Sequence, residues 1–381
     1  MSLISQGTQR QPAMTTREHT YRSEVVGSLL RPDYLKDAMR RFEAGELPSS
    51  ELEQLRDRAV LEAIALQETC DIDVITDGEM RRFGWFDSLT GSLSGYSHQA
   101  PAPAIFAGAL SGSSTRLPAV AGRLAYKANL PLREMEFLRG HTTRPTKATL
   151  PSMSYASVMW VPGISDKVYP DKREYLDEAL KLTRTLVAEL AASGVSYIQL
   201  DAPRYTHLVS DTGRANLSRL GIDTRTWLDE TIALDNALMA DSPQVTFCLH
   251  LCRGNYRSMW SVEGGYEPVA EKLFNEMRCE RLHLEYDSPR AGSFEPLRLV
   301  PRDKRVILGL ITTKEPQLES EDLLQRRVQE ATRYIPLERL ALSPQCGFAS
   351  SHEGNLLTPD DQRAKLALLG RVAKQIWRGA Q

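Results

Sequence analysis

Phe247-Cys248-Leu249-His250-Leu251-Cys252-Arg253-Gly254 is an apolar run that ends in two soft metal-ligand types and then breaks at a glycine. Such a run reads as a buried strand delivering His250 and Cys252 at its carboxyl end. A third soft ligand type waits far downstream, in Ser343-Pro344-Gln345-Cys346-Gly347. Zinc takes thiolate sulfur at about 2.3 Å and imidazole nitrogen at about 2.0 Å, and a site assembled from separate segments leaves one coordination position open for chemistry. An isolated His-x-Cys is more often a core histidine beside a small buried thiol. The distant Cys346 reverses that balance and predicts a catalytic metal site.

Working outward from this strand, short apolar or β-branched runs alternate with longer helical patterns, the signature of parallel strands joined by helical crossovers. Eight candidate strands lie near residues 24–28, 72–76, 146–150, 197–200, 244–250, 281–285, 305–310 and 339–342. Amphipathic segments run between them. One covers 49–70, with Leu52, Leu55, Ala59, Leu61 and Leu66 near helical spacing, and another covers 172–193 and ends at Gly194. Pro336 stops the helix that precedes the strand leading to Cys346. Eight strand–helix units predict an α/β fold, a single TIM (β/α)8 barrel over residues 21–381. One connection breaks the rhythm: residues 85–143 form a long insertion between strands 2 and 3, expected to serve as a functional lid or an oligomer contact. Residues 1–20 read as a mobile extension.

With 381 residues, 41% of them hydrophobic, the chain can bury a large core. The 47 basic and 49 acidic residues are interspersed and leave a net charge of −2, so neither a nucleic-acid face nor a polybasic membrane anchor is expected. A small molecule is the expected partner, and a homo-oligomer is compatible with the insertion. Five cysteines, odd in number and sparse, suit a reducing cytoplasm better than a disulfide framework.

In such barrels the active site gathers at the carboxyl ends of the strands. Ser28, Asp77, Glu79, Asp201, His250, Cys252, Glu285, Lys314 and Cys346 all share that address. Glu285, in Leu282-His283-Leu284-Glu285-Tyr286-Asp287, is a candidate fourth ligand, with His283 and Asp287 as rivals on the same strand face. Cys248 lies deeper and reads as core, while Cys70 and Cys279 read as packing residues. The turn at Asp77-Gly78-Glu79 can hold a substrate ammonium with an arginine bracing it, or it can be a solvated turn. Asp201 ends a strand with no cation close in sequence, which favours ligand binding. Neither Arg253-Gly254-Asn255 nor Gly264-Gly265-Tyr266 has the spacing of a nucleotide-binding loop.

Taken together, Val26-Gly27-Ser28, Asp77-Gly78-Glu79, Ile198-Gln199-Leu200-Asp201, His250-Leu251-Cys252, Glu285 and Pro344-Gln345-Cys346-Gly347 resemble the catalytic barrel of cobalamin-independent methionine synthase, within the wider group of zinc-dependent thiol alkyltransferases. The resemblance implies that His250, Cys252, Glu285 and Cys346 bind Zn2+, while Ser28, Glu79 and Asp201 hold an amino-acid thiol such as homocysteine. It also implies a methyl donor as second substrate, with Asp201 and Lys314 acting in the chemical step. Lys314 stands where the long enzymes carry a histidine that delivers a proton to the leaving folate nitrogen; the bland alternative for it is a salt bridge with Glu315 or another acid. The sequence does not contain the preceding amino-terminal barrel that contributes to folate binding in the long enzymes, so a donor other than polyglutamylated methylfolate is expected. Tyr155 and Trp160 compete for the place of the aromatic that stacks on the donor.

The short single-barrel homologues are the closer likeness, and that group includes epoxyalkane:coenzyme M transferase. Alkyl transfer to another thiol, such as epoxide opening by coenzyme M, is therefore the alternative, with Arg81, Arg82, Arg204 and Arg257 as candidate partners for a sulfonate. A non-catalytic thiol or metal carrier fits an open coordination position less well.

Overall fold

The computed structural model describes residues 21–98 and 118–378; the expected extension at 1–20 and the middle of the insertion lie outside the described residues. In chain order the strands are β1 (Leu93–Ser97), β2 (Ala119–Tyr126), β3 (Ala148–Pro151), β4 (Tyr197–Asp201), β5 (Thr246–Leu251), β6 (Arg281–Glu285), β7 (Arg305–Ile311) and β8 (Leu340–Pro344). The first two form an antiparallel hairpin inside the insertion, and β3 to β8 form a parallel sheet in sequential order. The first two expected barrel strands, 24–28 and 72–76, are reduced to single parallel bridges. Ser23 bridges Leu342, Glu24 bridges Val74 and Ile75 bridges Thr146, so these segments join the two edges of the sheet and complete the ring of the TIM barrel. Ladder bonds are scarce there because a side chain substitutes for them: Asp73 Oδ2 accepts from the backbone N–H of Arg22 at 2.7 Å and of Ser23 at 3.1 Å.

The helices fall close to their predicted bounds, at Ser49–Thr69 and Lys172–Ala192. In the first, Leu52, Ala59, Val60, Ala63, Ile64 and Gln67 are buried. Leu61, expected on that face, is instead 43% exposed. It stands roughly half a turn round the helix from Leu52, because nine steps of about 100° bring it to the opposite side.

A small cluster of Val74, Tyr197, Cys248, Ile307 and Ala341, one residue from each of five segments of the ring, marks the barrel interior and accounts for Cys248 as core. Beside it lies a buried polar group. Lys147, fully enclosed, donates to Glu24 Oε2 at 2.6 Å, Val25 O at 2.7 Å and Gln199 Oε1 at 2.8 Å. Tyr197 adds its hydroxyl to Glu24 at 2.9 Å. Removing one partner of such a pair leaves the other charge buried and poorly compensated. Lys147→Met is expected to cost about 3–5 kcal/mol of stability in denaturant unfolding, and Lys147→Met with Glu24→Leu less than the sum of the two single changes, since Arg281, 3.8 Å from Glu24 Oε1, loses that partner in either Glu24 variant.

Candidate metal and substrate centre

His250 and Cys252 stand at the end of β5 and Cys346 follows β8, and the ring closure brings them together. Their ligand atoms all lie within 4.8 Å of one another, and all three residues are buried. The ligands of a tetrahedral zinc stand roughly 3.3–3.8 Å apart, so this cluster has the dimensions for one ion. His250 Nδ1 is 2.8 Å from Asp201 Oδ1, while Nε2 is buried without a hydrogen-bond partner. A carboxylate on Nδ1 fixes the tautomer that leaves the Nε2 lone pair free for a metal.

The electrostatics agree with that chemistry. Cys346 donates a hydrogen bond to Cys252, and this together with the charge of His250 holds the Cys252 thiol well below its usual pKa. The same bond, with burial, pushes Cys346 well above. Burial disfavours a charged imidazole at His250, yet the Cys252 thiolate and the Asp201 carboxylate outweigh it and raise the pKa to about 10. Without a metal, the cluster balances its charge by holding protons, and those protons are what an incoming cation displaces.

Asp201 differs from its expected setting. It is not free to serve ligand alone, because Oδ1 accepts both from His250 and from Gln199 Nε2 at 2.7 Å. Gln199 is held in turn by Lys147, so a hydrogen-bonded column runs from Glu24 through Lys147, Gln199 and Asp201 to His250. Glu285 lies outside the cluster of three. Its Oε2 accepts from Arg253 N at 2.7 Å, and its Oε1 is buried without a hydrogen-bond partner, 3.6 Å from Arg290 Nη2. Burial, then the neighbouring Asp287, raises its pKa to about 7. The rival His283 is held by Ser343, with its ring 5.1 Å from that of His250, and Asp287 pairs with Arg290 at 3.2 Å.

Lys314, expected to deliver a proton or to bind an anion, is buried and fully hydrogen-bonded. Its three ammonium hydrogens go to Gly254 O at 3.0 Å, Asn255 Oδ1 at 3.1 Å and Met259 O at 3.1 Å. It fastens the loop after β5, and its charge favours the ionised forms of Glu285 and Cys346. The salt bridge with Glu315 is absent as well.

Glu79 sits in a turn where Gly78 and Glu79 both have positive φ, 67° and 56°. For glutamate that backbone is uncommon, and such outliers collect at functional sites. Arg82 braces Glu79 Oε1 at 3.2 Å and Thr149 donates to it at 2.9 Å, while Oε2 has no hydrogen-bond partner. Burial raises the carboxyl to about 7, against the pull of Arg82. Arg82 is itself fixed by Glu134 of the helix Leu130–Arg139, so the insertion reaches into the site through a second carboxylate. Glycine is required at two close approaches: a Cβ on Gly27 would stand 2.7 Å from Glu79 Oε1, and one on Gly347 would stand 2.0 Å from Ser28 Oγ.

Ser28, Glu79, Asp201, His250, Cys252 and Cys346 all line one cavity of about 720 Å³. Its aromatic wall comes from Trp85, Phe86 and Tyr155, with the Trp85 and Tyr155 ring centroids 4.4 Å apart. Of the two expected donor platforms, Tyr155 is there; Trp160 instead donates to Tyr169 O at 3.0 Å and is not part of the lining. The sequence reading missed Trp85 and Phe86, although the aromatic run Phe83-Gly84-Trp85-Phe86, directly after Arg82, was the available signal. It also missed His207 and the role of Gln199.

The chain is similar to known proteins over nearly its whole length. The chain is 35% identical over 368 residues to the uncharacterized protein YxjH of Bacillus subtilis (strain 168), covering 95% of this chain and 96% of that one. It is 23% identical over 326 residues to the methionine synthase of Pyrococcus abyssi (strain GE5 / Orsay), covering 86% of each. The fold matches the solved B12-independent methionine synthase from Shewanella sp. W3-18-1 with a TM-score of 0.72 at 20% identity, over 94% of this chain and 98% of that one. The model of the cobalamin-independent synthase catalytic domain matches residues 22–368, and the chain belongs to that family, as an enzyme of the methionine synthase-like, methyl-transferring kind.

Proposed function

We propose that the protein is a zinc-dependent methyltransferase acting on an amino-acid thiol, homocysteine, with His250, Cys252, Cys346 and Glu285 holding the ion. The single observation that carries this reading is the buried convergence of the imidazole and two sulfurs from β5 and the end of β8. The donor set supports it: the orphaned Nε2 of His250 and the orphaned Oε1 of Glu285 are the buried polar atoms a metal would satisfy. When bound there, zinc lowers the pKa of a coordinated thiol so that thiolate exists at neutral pH.

The protein's own residues do the rest. Asp201 keeps His250 in the tautomer with Nδ1–H. Glu79 and Asp201, close enough to feel each other's charge, make the negative side of the cavity where the substrate ammonium is received. Ser28 borders the same space, and the aromatic wall keeps water from it. Held so, the sulfur stands in line with the donor. The S–C bond forms as the donor's bond to the methyl carbon breaks, and the donor leaves with that electron pair. Lys314 supports this geometry by tying down the Gly254-Asn255 loop, and protonation of the departing donor is not assigned to it.

Two measurements test the reading. Metal analysis of purified protein is expected to find near-stoichiometric zinc in the wild type and far less in Cys346→Ser; unchanged content would remove Cys346 from the site. Binding an ammonium requires Glu79 ionised, and its pKa is raised to about 7, so the carboxylate is present above that value and lost as pH falls through it. The KM for homocysteine is expected to rise about tenfold between about pH 8 and pH 6 in the wild type. Glu79→Gln should have a high KM whose pH dependence over that window is flatter, and an unaltered profile in the variant would exclude this carboxylate as the ammonium partner.

A further inference from the structure

The four arginines considered as anion partners are not equivalent in the fold. Arg81 pairs with Glu53 at 3.2 Å and with Asp57, Arg82 pairs with Glu79 and Glu134, and Arg257 lies 3.7 Å from Glu353. Arg204 differs from all three, since among the described residues no carboxylate lies within ion-pairing distance of it. It is 4% exposed, its Nε has no hydrogen-bond partner, and it lines the cavity that holds Glu79, Asp201 and Cys252.

No carboxylate pairs with Arg204 among the described residues, and the charge that acts on it is the Cys252 thiolate. Its Nη1 is 3.1 Å from His207 Nε2. His207 Nδ1 is 3.2 Å from Pro203 O, which can only accept, so the ring proton is on Nδ1 and Nε2 accepts from the arginine. Burial and the Arg204 charge both hold His207 in that neutral form. The guanidinium carbon stands 5.6 Å from the centre of the Tyr155 ring, whose own hydroxyl stays protonated, with burial raising it to about 12. Burial outweighs the favourable neighbours and disfavours the enclosed guanidinium charge, a cost that falls when an anion enters beside it.

We infer that Arg204 is the recognition point for an anionic group, a carboxylate, sulfonate or phosphate, on the substrate that delivers the methyl group. The apolar or planar body of that substrate then lies against Trp85, Phe86 and Tyr155. The inference rests on the thiol-methylation reading, which already gives the ammonium end of the thiol to Glu79 and Asp201. Arg204 serves the other substrate because it is grouped with the aromatic wall through Tyr155, which stands against both Trp85 and Phe86. The planar guanidinium fork suits such an anion, which a lysine there would meet only as a point charge.

The test uses the zinc-loaded full chain and three flat probes of similar size: benzoate, benzenesulfonate and the neutral benzamide. The wild type is expected to bind the two anions at least about tenfold more tightly than benzamide in equilibrium titrations. Arg204→Met should abolish that preference, and Arg204→Lys should keep part of it. A wild type with no preference for the anions, including one that binds none of the probes, overturns the inference, as does an Arg204→Met protein that retains the preference. Homocysteine binding is read separately, from the absorption of wild-type protein carrying cobalt(II) in place of zinc. Loss of that signal with the anion preference intact would sink the thiol reading and leave the anion site standing.

Discussion

Inside the barrel a lysine ammonium lies between a carboxylate and an amide oxygen, and the orientation of His250 follows from it. Lys147 fixes the oxygen of the Gln199 amide toward itself, which turns the amide nitrogen to Asp201. Asp201 then accepts a hydrogen bond from the Nδ1–H of His250 and leaves Nε2 unpartnered. Each member has one hydrogen-bonding sense once its neighbour is set, so the chain transmits orientation rather than charge. Buried ionic groups are seldom the most stable filling for a core. Here they supply direction, which an apolar layer cannot.

The cavity above that column is polarised. Glu79 and Asp201 border it on the acidic side, and Arg204 borders it with no carboxylate partner among the described residues, with the aromatic wall joining Arg204 to the insertion. A cavity with fixed charges of both signs selects ligands by arrangement of charge rather than by net charge. Two substrates must meet at one sulfur for a group transfer, and opposed charges at the two regions of the cavity would keep each in its own place.

The insertion is part of that site in its described portion. Trp85, Phe86 and Asp87 at its start line the cavity, and Glu134 near its end closes on Arg82, which braces Glu79. Between these ends, β1 and β2 form a hairpin, and the Tyr96 hydroxyl meets that of Tyr175 on the helix Lys172–Ala192 at 3.2 Å. Both described ends of the insertion are thus built into the cavity wall and the support of Glu79.

Much of the fold was legible because barrel strands buried on both faces are continuous apolar runs and the helices between them keep a 3.6-residue period. The six strands of the sheet fell within two residues of their expected bounds, while 24–28 and 72–76 became bridges because the Asp73 side chain replaces ladder bonds. His250, Cys252 and Cys346 were legible as a set because ligand chemistry limits the residue types, and strand ends limit the positions. The surroundings of Lys314 were not legible for the complementary reason: its position follows a strand end, but the carbonyl oxygens that accept its hydrogen bonds belong to a loop about sixty residues away. Sequence by itself determined the ring of strand–helix units, the ligand types and their common end of the barrel, because these follow from periodicity and residue chemistry. Only the tertiary structure decided which of the candidate arginines lacks a carboxylate, which nitrogen of His250 is free and how the insertion braces Glu79, because pairing between distant side chains depends on ring closure and leaves no local pattern in the chain.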